Sequence, residues 1–104
     1  MTTMTPTDLA QEVRAAYDRA SQKLQNEDDR AGVYGIHVFL QPYDLGNQWG
    51  KGYTVHCDQS YGGTDEREQA VRDELPNAIV MLKYDADKYE DATEAFEAAL
   101  EEVW

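Results

Sequence analysis

Two stretches decide the fold: Val33-Tyr34-Gly35-Ile36-His37-Val38-Phe39-Leu40-Gln41 and Tyr53-Thr54-Val55-His56-Cys57-Asp58. Both alternate. In the first, Tyr34, Ile36, Val38 and Leu40 share one face, with Gly35, His37, Phe39 and Gln41 on the other. In the second, Tyr53, Val55 and Cys57 lie opposite Thr54, His56 and Asp58. A period of two is the mark of a half-buried strand. Gly46-Asn47 between them suits a two-residue type II′ hairpin turn. That turn predicts Ile36–Cys57, Val38–Val55 and Leu40–Tyr53 as pairs on the apolar face, and His37–His56 and Phe39–Thr54 on the other. The apolar faces then coincide, as a hairpin laid over a core requires. Pro42 and Gly50 weaken ladder bonding near the tip, so a wider loop from Pro42 to Gly50 is the alternative.

Helical patterns surround the hairpin. Thr5-Pro6-Thr7-Asp8 predicts a helix start, with a Thr cap, Pro at the first position and an early carboxylate. Leu9, Val13, Ala16, Tyr17, Ala20 and Leu24 recur at three- and four-residue steps, so the helix runs from Pro6 to about Glu27. Asn26-Glu27-Asp28-Asp29 would place acid at its C-terminus, against the macrodipole, and the end is expected to fray before Gly32. After Gly62-Gly63, Thr64 is the expected cap of a short helix through Leu75, which Pro76 ends. Ala78 to Tyr84 is almost wholly apolar and reads as a third, well-buried strand. Asp87-Lys88-Tyr89-Glu90 resembles a capping box opening a last helix to the end of the chain. The order α-β-β-α-β-α predicts a two-layer α+β domain spanning 1–104, with a three-stranded mixed sheet packed against helices. With a right-handed crossover, the second and third strands run parallel and the first can lie between them.

Composition narrows the function. The chain has 104 residues, 21 acids and 9 bases, for a formal net charge of −12. That excess argues against direct nucleic-acid binding, which neutralises phosphates with Lys and Arg. No apolar run approaches the roughly 20 residues of a membrane span. Residues 1–10 contain neither a basic residue nor an apolar block, so no signal peptide is expected. Cys57 is the one cysteine; it offers neither an internal disulfide nor a thiolate cage, and the cytosol is the default compartment. On the core face it reads as a small buried hydrophobe rather than a nucleophile. Neither a phosphate loop nor a cofactor motif is present in the sequence.

The charge is unevenly placed. Residues 84–104 carry eight acids (Asp85, Asp87, Glu90, Asp91, Glu94, Glu97, Glu101, Glu102) against Lys88 alone. At 100° per residue, Tyr89, Ala92, Phe96, Leu100 and Val103 fall in a sector of about 80°, and the acids fill the other side. Carboxylates at three- and four-residue steps lie about 5–6 Å apart, and their repulsion costs helix stability. A solvated face needs fewer charges and accepts mixed signs, so the excess points to a basic surface as its partner. Tyr43, Trp49 and Tyr53 near the hairpin tip are candidate contact aromatics.

The leading expectation is a small non-enzymatic binder. Asp87, Glu90, Asp91, Glu94, Glu97 and Glu101, with Tyr43 and Trp49, would occupy the basic surface of a nucleic-acid-binding protein or nuclease complex. In size and charge the chain looks like phage inhibitors of anti-CRISPR or anti-restriction type and like toxin-immunity proteins, which work in the (host) cytoplasm. No cofactor, metal or membrane enters that reading. A rival is a small metal or acid–base enzyme using His37, His56 and Asp58. A second rival is an acidic housekeeping domain adapted to high salt, which the low count of four lysines also fits.

Overall fold

The computed structural model describes residues 2–44, 51–58 and 65–104. Its first helix, α1 (Pro6–Lys23), begins as the sequence predicts: the Thr5 hydroxyl accepts the Asp8 N–H at 3.1 Å, and Pro6 stands where no N–H is needed. The helix ends earlier than Glu27. Leu24 turns extended, and Asn26 opens a second short helix, α2 (Glu27–Gly32), by accepting from the Asp28 and Asp29 N–H groups. Glu27, Asp28 and Asp29 therefore sit at a helix N-terminus, where the macrodipole favours them, and not at a fraying C-terminus. The Ser21 hydroxyl donates to the Arg30 carbonyl at 3.1 Å across this corner.

Gly32 ends α2 with an ordinary helical backbone, so its requirement is space. A Cβ there would lie 2.8 Å from the Arg67 Cδ. Arg67 belongs to α3 (Glu66–Glu74), whose N-cap is Asp65, bonded to the Arg67 N–H at 2.9 Å. Thr64, the cap expected from sequence, lies outside the described residues, as do Gly62 and Gly63.

The predicted first strand starts late. Val33–Gly35 forms a 3-10 turn, and β2 covers Val38–Asp44 against β3 (Lys51–Cys57). Pairing is antiparallel, with Val38 opposite Cys57, Phe39 opposite His56 and Leu40 opposite Val55. The register thus differs by two residues from the predicted one: Val38 does not pair with Val55, nor His37 with His56. A slip of two leaves every side chain on its expected face, so Val38, Leu40, Val55 and Cys57 are all buried. The predicted turn at Gly46-Asn47 lies outside the described residues. Pro42 is accommodated in the ladder because β2 is an edge strand.

Among the described residues the sheet has four strands in the order β1-β4-β3-β2, one more than predicted. The added strand is β1 (Thr2–Met4), parallel to β4 (Val80–Leu82). The Lys83 N–H donates to the Met4 carbonyl at 2.8 Å. The second predicted strand is antiparallel to the third (Tyr53 opposite Val80) and lies between the other two, which corrects the expected parallel pair and strand order. The parallel crossover instead joins the N-terminus to β4. The class is as expected, α+β with a mixed sheet packed against helices.

The last helix, α4 (Ala92–Val103), starts later than Asp87. The Asp85 carbonyl accepts from Lys88 and Tyr89 in a turn, and the true cap is Asp91, accepting the Glu94 N–H at 2.8 Å. Glu94 Oε2 accepts the N–H of Glu90, the residue before the cap, at 3.2 Å, so the Asp91–Glu94 start lies four residues beyond the predicted one and resembles a capping box without closing on the cap's own N–H. Helix α1 packs between α3 and α4. Leu9, Val13 and Ala16 of α1, Val71 of α3 and Phe96 of α4 are buried in one cluster with Val38, Val55 and Val80 of the sheet.

Candidate functional site

Helix α4 has two unlike sides. Ala92, Ala95, Phe96 and Ala99 are buried, and at 100° per residue Glu94, Glu97 and Glu101 point the opposite way. These three form one exposed ridge that spans about 10 Å along the helix at 1.5 Å per residue. Asp91 sits at its N-terminal end as the cap. Asp87 and Glu90 are also exposed but belong to the preceding turn, so the sequence-predicted acids do not share one helix. Glu102 leaves the ridge and faces a smaller hollow beside Pro6, Lys83 and Tyr89. Of the hairpin aromatics, Tyr43 is 50% exposed on the edge strand, whereas Trp49 lies outside the described residues.

The acids differ in how they are neutralised. Among the described residues, ion pairs join Arg14 to Asp18, Arg19 and Lys23 to Glu74, and Arg67 to Asp65. None involves an acid of residues 84–104. Lys88 instead sets its ammonium 5.6 Å from the Tyr89 ring centroid. Hydrogen bonds from Lys23 and then Arg19 hold the Glu74 carboxyl below its ordinary value. The Arg67 guanidinium does the same for Asp65. On the ridge, the caps Asp91 and Glu94 bond backbone N–H groups, while Glu97 and Glu101 stand in solvent.

Beside the ridge runs an open groove of about 680 Å³. Glu97, Leu100, Glu101 and Trp104 form one wall; Tyr34, Gly35, Ile36, His37 and Val38 form the other, over Tyr17. Trp104 packs edge-on against Tyr17 at 4.9 Å and Tyr34 at 5.9 Å between centroids, yet stays 51% exposed. The Tyr17 hydroxyl donates to the Ile36 carbonyl, fixing the start of β2. Burial, with smaller contributions from Cys57 and Asp58, pushes the Tyr17 phenol up to about 12. The Tyr34 hydroxyl donates to Asp18 Oδ1 at 2.7 Å, which raises its own value. Arg14 lies over both Tyr34 and Trp104, 5.2 and 4.8 Å from their centroids. Sequence periodicity places Tyr17 and Tyr34 on apolar faces. Their convergence with Trp104 depends on how α1, the 3-10 turn and α4 meet, for which a single sequence carries no signal.

The histidine constellation takes a different form from the expected one. Phe39 lies between the two imidazoles, its ring centroid 5.9 Å from that of His37 and 5.9 Å from that of His56. His56 Nε2 is 2.7 Å from the Thr54 hydroxyl, and Asp58 meets His37 through its backbone N–H. Among the described residues, no group of three or more His, Cys, Asp or Glu side chains is placed to hold a metal ion. Cys57 is buried as expected, its thiol pushed up by burial. No helix among the described residues is long and apolar enough to cross a membrane.

No family model matches the chain, and no curated protein or solved structure matches it either.

Proposed function

We propose that the protein is a non-enzymatic binder whose C-terminal acidic face occupies a basic, nucleic-acid-binding surface of another protein. It would act by blocking that surface, as DNA-mimic inhibitors of anti-CRISPR or anti-restriction type and toxin-immunity proteins do. One observation carries the reading. The eight carboxylates of residues 84–104 are all exposed, and none is paired with a base among the described residues, while the ion-paired cations there lie on α1 and α3. Such a face raises the local concentration of basic partners and speeds their association, in a salt-dependent way. The ridge Glu94-Glu97-Glu101 supplies carboxylates about 5–6 Å apart, a spacing comparable with backbone phosphates. Asp87, Glu90 and Asp91 widen the face, and exposed Tyr43 on the β2 edge is the candidate for a separate, less salt-sensitive contact.

The test is capture from lysate on immobilised protein, followed by elution with duplex DNA. The reading expects nucleic-acid-binding proteins that DNA releases and that a Glu94→Gln/Glu97→Gln/Glu101→Gln variant fails to retain. Capture indifferent to both DNA and the substitutions contradicts it.

A further inference from the structure

The groove between α4 and the start of β2 has a chemistry of its own. Its α4 wall carries Glu97 and Glu101, one turn apart and with no cation on either among the described residues. Apart from the exposed His37 imidazole, its other components are aromatic or apolar, with Tyr34 and Trp104 at the surface and Tyr17 beneath. Two carboxylates beside aromatic rings repel an anion and leave a neutral apolar ligand with charges to desolvate. They suit a planar cation, which takes charge-assisted bonds at its edge and stacks on its face. The same two rings already hold one guanidinium, that of Arg14, which is not among the groove-lining residues.

We propose that this groove receives an arginine side chain of the basic partner, with the guanidinium bonded to Glu97 and Glu101 and stacked against the Tyr34–Trp104 wall. This rests on the reading of the acidic face and names the residue type that anchors the partner. The volume of about 680 Å³ exceeds one side chain, so a short backbone segment enters with the arginine. Lysine fits less well, because a point ammonium neither bridges two carboxylates in a plane nor stacks.

Gly35 gives a way to close the groove without touching its charge. It lines the groove, and a Cβ built on it meets nothing within 4 Å. The probe is a blocked Gly-Arg-Gly peptide, with lysine and citrulline counterparts, titrated while the Trp104 indole N–H and Leu100 methyl signals are followed by NMR. The arginine peptide is expected to shift both sets of signals and to bind more tightly than the lysine peptide. The uncharged citrulline peptide, which keeps the shape, should bind about tenfold more weakly than the arginine peptide. Gly35→Leu should weaken arginine binding about tenfold, whereas Glu66→Gln, exposed on α3 across α1 from the groove, should leave it unchanged. Should Gly35→Leu not fold, Glu97→Gln/Glu101→Gln gives the second readout: preference for arginine over citrulline is lost. Equal binding of the three peptides, or arginine binding that ignores Gly35→Leu in a folded protein, overturns the groove assignment. If DNA-sensitive capture still succeeds then, the acidic-face reading stands; if the groove binds arginine and capture fails, that reading is the one at fault.

Discussion

Glu74 of α3 and Glu97 of α4 are both glutamates on helices that pack against α1, yet their surroundings are opposite. Arg19 Nε reaches one oxygen of Glu74 at 2.9 Å and Lys23 reaches the other, tying α3 to α1. Glu97 faces solvent with Glu94 and Glu101 on either side and no base among the described residues. Acids on the α1–α3 side serve the fold. On α4, Asp91 and Glu94 cap the helix start, but Glu97 and Glu101 make no bond that ties the helix to the rest of the fold, which its apolar side does. The difference separates stabilising charge from charge available to a partner.

The largest effect should come from the apolar side of α4. Phe96 is fully buried, and Phe96→Ala should cost about 3–5 kcal/mol in denaturant unfolding, as expected if core contacts are what anchor the helix to the fold. A cost below about 1 kcal/mol would mean that α4 is held some other way, and the comparison would fail. Tyr17→Phe comes next. It deletes the bond to the Ile36 carbonyl and should cost about 1 kcal/mol at neutral pH. Because the folded Tyr17 value is raised from 10.0 to about 12, its contribution is complete below pH 10 and is lost as pH rises through about 12. The variant should therefore show a shallower alkaline fall in melting temperature than the parent.

Glu74→Gln should lower the melting temperature modestly, since it removes the shared partner of Arg19 and Lys23. The folded Glu74 value is depressed, so its contribution is present above the ordinary 4.5 and disappears as pH falls through the lower folded value. Parent and variant melting temperatures should converge in that acid window. The smallest effect belongs to the ridge. Glu94→Gln/Glu97→Gln/Glu101→Gln should leave stability unchanged or raise it by a few tenths of a kcal/mol, because each like-charge pair removed was mildly unfavourable and a Gln at 94 can still accept the Glu90 N–H. A clear loss would mean that these acids serve the fold after all.

The sequence made faces legible better than boundaries. Alternation placed Val38, Leu40, Val55 and Cys57 inside, and because side-chain facing repeats every two residues it could not separate the true register from one two residues away. Val33–Gly35 continued the same pattern but forms a 3-10 turn, its tyrosine hydroxyl held by Asp18 on α1. Strand β1 was missed because three residues carry too short a pattern, and its pairing with β4 is a tertiary fact. Asn26 is a good cap residue, but next to an apolar stripe that reaches Leu24 it reads as the end of the first helix and not the start of a second. The acidic side of α4 was legible from spacing and charge alone, apart from the four-residue error at its start. The groove was not, because Tyr17, Tyr34 and Trp104 come from three separate elements.

The most direct measurement is the association rate of the captured partner with the parent and with Glu94→Gln/Glu97→Gln/Glu101→Gln, followed across salt. For the parent, the rate should fall steeply as salt rises toward about 0.15 M, where the screening length is about 8 Å. The variant should associate more slowly at low salt and show a flatter dependence. Equal rates and equal salt slopes for the two proteins would contradict the account and leave the ridge as a solvated face.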